Sequence, residues 1–174
     1  MARFVGIDPS TATGFVVLDE NGKVVEEKEI VRKGEDPARM TILIDDVINL
    51  VQPGDYVAIE GFGFASQQAI QMGGIGWGMR VALHRRGINY VEPAPNAVKK
   101  FCGAKGNAKK EHVSVEVYKR WGYEHRSNNV VDAFVIAHLC RAYYMKNLDL
   151  LAFQRDVIQT MKNPPEKKMR KKAN

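Results

Sequence analysis

Alternation of apolar and polar positions dominates the first part of the chain. Residues 3–8 (RFVGID) and 13–20 carry Val and Phe at strand spacing on either side of the turn-forming Pro9-Ser10-Thr11-Ala12. Asn21-Gly22 follows, a dipeptide that favours tight hairpins, so residues 23–30 are predicted to return as the third strand of an antiparallel meander. The period then changes. Met40, Ile44, Val47, Ile48 and Val51 fall at helical spacing, with Asp36 as expected N-cap, Pro37 in the first helical position and Pro53-Gly54 as the stop. Residues 55–60 (DYVAIE) revert to strand. Residues 66–86 read as a long helix although they contain Gly73, Gly74, Gly76 and Gly78, each costing ~1 kcal/mol relative to Ala. That cost points to the close approach of another backbone. Residues 88–92 form a fifth strand, and helices are predicted over 95–101, 108–121, 130–145 and 149–161. Three strands followed by alternating helices and strands predict an α/β fold with a mixed five-stranded sheet flanked by helices. No internal repeat is present.

The 174 residues, 45% apolar and 26% charged, suit one domain over 1–161 with a basic tail over 162–174 that is expected to be disordered. No run approaches the ~18 apolar residues of a membrane span, and Met1-Ala2-Arg3 leads straight into a strand. A cytoplasmic protein with no membrane partner is the expectation. Cys102 and Cys140 lack disulfide or zinc spacing and read as buried thiols. The net charge of +6 gains meaning from its placement: Lys99, Lys100, Lys105, Lys109, Lys110, Lys119, Arg120 and Arg126 cluster in one stretch, and Lys162, Lys167, Lys168, Arg170, Lys171 and Lys172 in the tail. A polyanionic partner and a solvated basic face both fit this pattern.

Two strands end in a carboxylate with a small residue two positions earlier, Gly6 before Asp8 and Ala58 before Glu60. Small residues on one strand face let a helix lie close, and the segment Asp132-Ala133 with Ile136-Ala137 is the best candidate. Asp8, Glu60 and Asp132 would then meet. Each alone has an ordinary reading, as a turn cap, a solvated strand end or a helix N-terminal acid. Together they would repel one another unless a hard divalent cation, Mg²⁺ or Mn²⁺, sits between them.

The ordered segments Gly6-Ile7-Asp8-Pro9-Ser10-Thr11-Ala12-Thr13-Gly14, Ala58-Ile59-Glu60, Val98-Lys99 with Lys105-Gly106-Asn107-Ala108-Lys109-Lys110, and Val131-Asp132-Ala133 resemble the four motifs of RuvC-type Holliday junction resolvases in the ribonuclease H-like superfamily. The resemblance covers roughly residues 3–145, and the lysine-rich tail is more similar to the bacteriophage branch. It implies a homodimeric endonuclease that resolves four-way DNA junctions by paired cuts, with two Mg²⁺ ions per active site and Mn²⁺ as a substitute. Asp8 would bridge both ions, and Glu60 and Asp132 would each hold one side. Lys99 and Lys110 match family lysines tied to DNA contact and transition-state charge, and Lys105 and Lys109 join them as DNA-binding residues. The chain departs from the pattern one turn before Asp132, where an acid or histidine is usual and Asn129 stands instead. Either Asn129 or His125 completes the metal site, or the second metal binds weakly, or the protein has been altered or has drifted toward binding without cleavage.

Phe62 and Phe64, just past Glu60, are placed either to stack on an unpaired base or to pack beneath the next helix. Gly74 and Gly78 form a G-x-x-x-G spacing that serves either a dimer contact or packing within the chain. The competing functions are a nuclease of the same superfamily acting on RNA and a non-catalytic protein that binds branched DNA. A sugar-kinase or actin-like ATPase needs two such domains, and this chain has one. Sequence preference at the cut, host and dependence on a branch-migration motor are not encoded in any motif.

Overall fold

The computed structural model describes residues 1–63 and 69–164. Its elements run β1 (Phe4–Asp8), β2 (Ala12–Leu18), β3 (Val24–Val31), α1 (Ala38–Asn49), β4 (Tyr56–Ile59), α2 (Ala69–Arg85), β5 (Tyr90–Val91), α3 (Pro95–Cys102), α4 (Lys110–Trp121), α5 (Asn128–Tyr144) and α6 (Ala152–Lys162). The sheet has the order β3-β2-β1-β4-β5. The first three strands pair antiparallel, and β4 and β5 add in parallel. The parallel pairs need crossovers, supplied by α1 and α2.

Period-two alternation sorts the strand side chains between two cores. Val5, Ile7, Phe15, Val17, Val57 and Ile59 pack with α1 and α2 on one face. Phe4, Val16, Leu18 and Ala58 pack on the other with α5, which brings Ala133, Ile136 and Ala137 and is backed by α3, α4 and α6. α5 lies so close that a Cβ built on Gly6 would stand 2.2 Å from the Ala133 carbonyl oxygen, and one on Gly14 1.9 Å from that of Asn129. The helix expected against the strand face is there, and its contact is backbone on backbone.

Several boundaries differ from expectation. Pro37, in a helical conformation, is the N-cap of α1 and offers no side-chain cap; the Asp36–Pro37 peptide is cis. The Asp36 carboxylate instead accepts from Arg39 (2.9 and 2.7 Å) and Gln71 (2.9 Å), tying the start of α1 to α2. α5 begins at Asn128, two residues early, because Ser127 accepts from the Val130 N–H and caps it. This puts Asn129 in its first turn. Gly74 faces the Met40 side chain and Gly78 that of Ile44, so the G-x-x-x-G spacing serves α1–α2 packing within the chain. Phe64 and the lysine-rich run from Lys167 lie outside the described residues, and no helix among those described is long and apolar enough to cross a membrane.

Cys102 and Cys140 are free and buried. His138 of α5 stacks on Trp121 at 4.8 Å and meets Phe134 edge-on, and its Nε2 finds no hydrogen-bond partner among the described residues. Burial, with Arg141 nearby, holds its pKa down to about 3, so it packs as a neutral ring.

The two glycine environments make opposite predictions. Gly6→Ala forces α5 off the sheet and should lower stability by roughly 2–3 kcal/mol, the usual cost of overpacking. Gly73, with nothing within 4 Å of where a Cβ would stand, should gain roughly 0.5–1 kcal/mol on substitution by Ala. Urea midpoints of the two variants measure both.

Candidate active site

Three carboxyl groups lie within one another's electrostatic reach where the sheet's central strands end beneath α5. Asp8 closes β1 and is buried. Glu60 follows β4, its N–H donating to the Ile7 carbonyl at 3.0 Å, which extends the parallel register by one residue and keeps its side chain on the Ala58 face. Asp132 projects from the second turn of α5. Burial is the largest cause that lifts all three above ordinary carboxylate values, Asp8 to about 7, Glu60 to about 9 and Asp132 to about 6. The charge of Asp132 raises Asp8, and the charges of Asp8 and Asp132 raise Glu60; Lys110 opposes the shift in all three and Lys99 in the last two. The carboxyls therefore share one field. Among the described residues they do not close into a ligand set of three, and none of them accepts a side-chain hydrogen bond.

Buried, mutually repelling carboxylates without donors fit a hard divalent cation: all three offer oxygen, and their surplus negative charge is what such an ion neutralises. Asp8, Glu60 and Asp132 would hold it.

The remaining residues singled out by the sequence divide into two groups. Lys110 opens α4, exposed, with its Nζ 3.3 Å from Asn129 Oδ1, and Asn129 Nδ2 donates to the Ala12 carbonyl at 2.8 Å. Asn129 thus bridges the turn after β1 to the lysine at the mouth. Lys99 is half-buried and donates to the Ala108 carbonyl at 2.8 Å, fixing the loop that carries the exposed Lys105 and Lys109. His125, in contrast, accepts from the Ser127 N–H at 3.0 Å. Phe62 packs against α2, its ring 5.4 Å from that of Trp77.

Sequence pattern alone did not single out Arg80. It is 2% exposed on the inner side of α2, its Nη2 donating to the Glu60 carbonyl at 2.9 Å, its Nε facing Glu92, and its guanidinium 4.3 Å from the centre of the Phe62 ring. A signal exists: Arg80 falls at inward spacing with Ile75, Gly76, Met79 and Leu83.

A central pair of strands ending in acids, crossed by a helix that adds a third, on a sheet of order β3-β2-β1-β4-β5, defines a ribonuclease H-like fold. The chain belongs to the RuvC family: the model of the crossover junction endodeoxyribonuclease RuvC matches residues 4–140. The Thermus thermophilus RuvC structure superposes with a TM-score of 0.63 at 24% identity, covering 79% of this chain and 93% of that one. Thermus thermophilus RuvC in complex with Holliday junction substrate superposes with a TM-score of 0.59 at 19% identity, covering 82% and 95%. No curated protein matches the chain by sequence.

The raised carboxyl pKa values have a defined sign in stability. A folded state that holds its protons more tightly than the unfolded chain is favoured at low pH and loses that advantage as pH rises from the ordinary carboxylate range up through the folded values, here about 6 to about 9. In EDTA, Asp8→Asn should therefore melt higher than the native protein at pH 8.5 and with it at pH 4. Mg²⁺ should raise the native melting temperature at pH 8.5 and leave that of Asp8→Asn nearly unmoved. Thermal melts at the two pH values, with and without Mg²⁺, test this.

Proposed function

We propose that this protein is a metal-dependent endonuclease that resolves four-way DNA junctions as a homodimer. The observation that carries the reading is the convergence of Asp8, Glu60 and Asp132 in one buried field, with Lys110 at its mouth, inside a RuvC-family fold. Bound divalent ions supply an activated water and a clamp on the departing oxygen of a phosphodiester. Asp8, Glu60 and Asp132 would hold them. Lys110 offers its ammonium to the phosphate. Lys99, Lys105 and Lys109 set and line the backbone path, while Phe62 packs between Arg80 and Trp77 rather than standing free for a base. Asn129 would supply a neutral oxygen ligand; in the structure that oxygen accepts from Lys110.

Homodimerisation rests on α2. Ile70, Trp77 and Val81, seven and four residues apart, leave uncharged side chains exposed on α2, Ile70 95% and Trp77 61% exposed. That is the spacing of a helix that packs on another helix. Two copies paired there supply two sites for two strands.

A second reading, binding without cleavage, is favoured by the neutral Asn129 where an acid would complete the set. One assay decides. Cleavage of a labelled four-way junction, a duplex of the same sequence and an RNA–DNA hybrid is measured in Mg²⁺, Mn²⁺ and EDTA. The nuclease reading expects metal-dependent cutting of the junction alone. Asp8→Asn, Glu60→Gln and Asp132→Asn should each slow it about a thousandfold, the equivalent of several kcal/mol of transition-state stabilisation, with junction affinity within several fold. Junction affinity with no cutting in either metal selects the second reading, and cutting of the hybrid selects an RNA substrate.

The dimer has its own test. Trp77→Glu should halve the sedimentation mass and convert paired cuts to single nicks. A mass unchanged by this substitution removes α2 from the interface.

A further inference from the structure

Glu60 lies one residue beyond the paired end of its strand, since the β1–β4 register closes at Ile7 and Ile59 and the β4–β5 register at Ala58 and Val91. Its N–H is still held by Ile7, and its carbonyl has no strand partner. Arg80 takes that carbonyl. The guanidinium, almost wholly withdrawn from water, spends its donors on the Glu60 carbonyl, the Gly76 carbonyl at 3.0 Å and the Glu92 carboxylate, and lays its face on Phe62. A buried cation is tolerated only when its donors are matched in this way. The neighbouring backbone is shaped for it: a Cβ on Gly76 would stand 2.8 Å from the Phe62 ring and 3.1 Å from Arg80 Nη1, so only glycine admits both.

We propose that Arg80 is a positioning residue for the carboxylate site, fixing Glu60 through its backbone and linking it, by way of Phe62, to the exposed Trp77. This rests on the nuclease reading above. Arg80 meets Glu60 at its backbone carbonyl, not at its carboxylate. Its guanidinium holds the peptide from which the Glu60 side chain springs, while the other face of the same contact, Phe62, stacks on Trp77, between Ile70 and Val81 on α2. A surface seated on Trp77 therefore presses on the ring that lies on Arg80. Occupation of the outer face of α2 and the setting of Glu60 become one event. A lysine keeps the charge and loses the planar fork, so the conservative change is the informative one.

The test measures Mn²⁺ affinity by titration of the DNA-free protein, and separately kcat and junction Kd, for the native protein, Arg80→Lys, Glu92→Gln and Trp77→Ala. Arg80→Lys should weaken Mn²⁺ binding ~10-fold and lower kcat by a similar factor with junction Kd within about twofold, as loss of a group that orients a metal ligand does. Glu92→Gln, at the exposed end of the contact, and Trp77→Ala, on the surface, should shift Mn²⁺ affinity the same way by roughly threefold. They carry the test if Arg80→Lys does not fold. A folded Arg80→Lys with native Mn²⁺ affinity and kcat, changed only in melting temperature, overturns the proposal, as do native values for both Glu92→Gln and Trp77→Ala. A native protein that neither binds Mn²⁺ nor cuts overturns the nuclease reading and this one with it. When the native protein does both, native values in the variants overturn the role of Arg80 alone.

Discussion

The contact of α5 with β1 and β2 sets the distance on which everything at the site depends. Side chains at Gly6 and Gly14 would hold the helix off the sheet, and Asp132, which α5 carries, would retreat from Asp8 and Glu60 by the same amount. Two missing Cβ atoms thus convert a generic helix-on-sheet layer into one where a helical carboxylate enters the field of two strand-end carboxylates. The same closeness lets Asn129 reach the Ala12 carbonyl and steady Lys110. It also explains why α5 is buried along most of its length, apolar on nearly all sides, since it is packed between the sheet and α3, α4 and α6.

Strand alternation and turn chemistry make the sheet legible in the sequence, because Asn21-Gly22, Pro53-Gly54 and the acid-ended strands are local signals that the packing does not override. The approach of α5 is legible for the same reason: Gly6 and Ala58 share a face with the acids that follow them. Local signals are weaker guides at helix starts. Asp36 reads as a cap and serves as a brace to Arg39 and Gln71, a role decided by α2. The glycines of α2 are ambiguous because a small residue admits a neighbour from within the chain as readily as one from outside, and Met40 and Ile44 occupy the space beside Gly74 and Gly78. Of the possible partners for Asp132, only the structure shows that His125 turns to the Ser127 backbone and that Asn129 joins the start of β2 to the start of α4. Arg80 is hidden by chemistry: an arginine in a run of glycines and methionines reads as a surface residue until its acceptors, all distant in sequence except Gly76, are known.

The three carboxyls and His138 illustrate opposite answers to burying a titratable group. His138 sheds its charge and stacks as an aromatic ring, with the driving force for protonation removed by Trp121 and Phe134 around it. The carboxyls are held in a shared field that makes their charged forms unfavourable without removing them from reach of solvent ions, with Lys110 and Lys99 offsetting part of the repulsion. One arrangement is inert, and the other is poised to take up positive charge.

The sheet's two edges carry a consequence for assembly. β3 is the long outer strand, and it points Glu27, Lys28 and Glu29 at solvent. Clustered charge along an open strand discourages another strand from docking there. β5, at the opposite margin, is two residues long and too short to template anything. Neither margin invites a continuous sheet running from one molecule into the next, so among the described residues the helical faces are the larger surfaces open to contact.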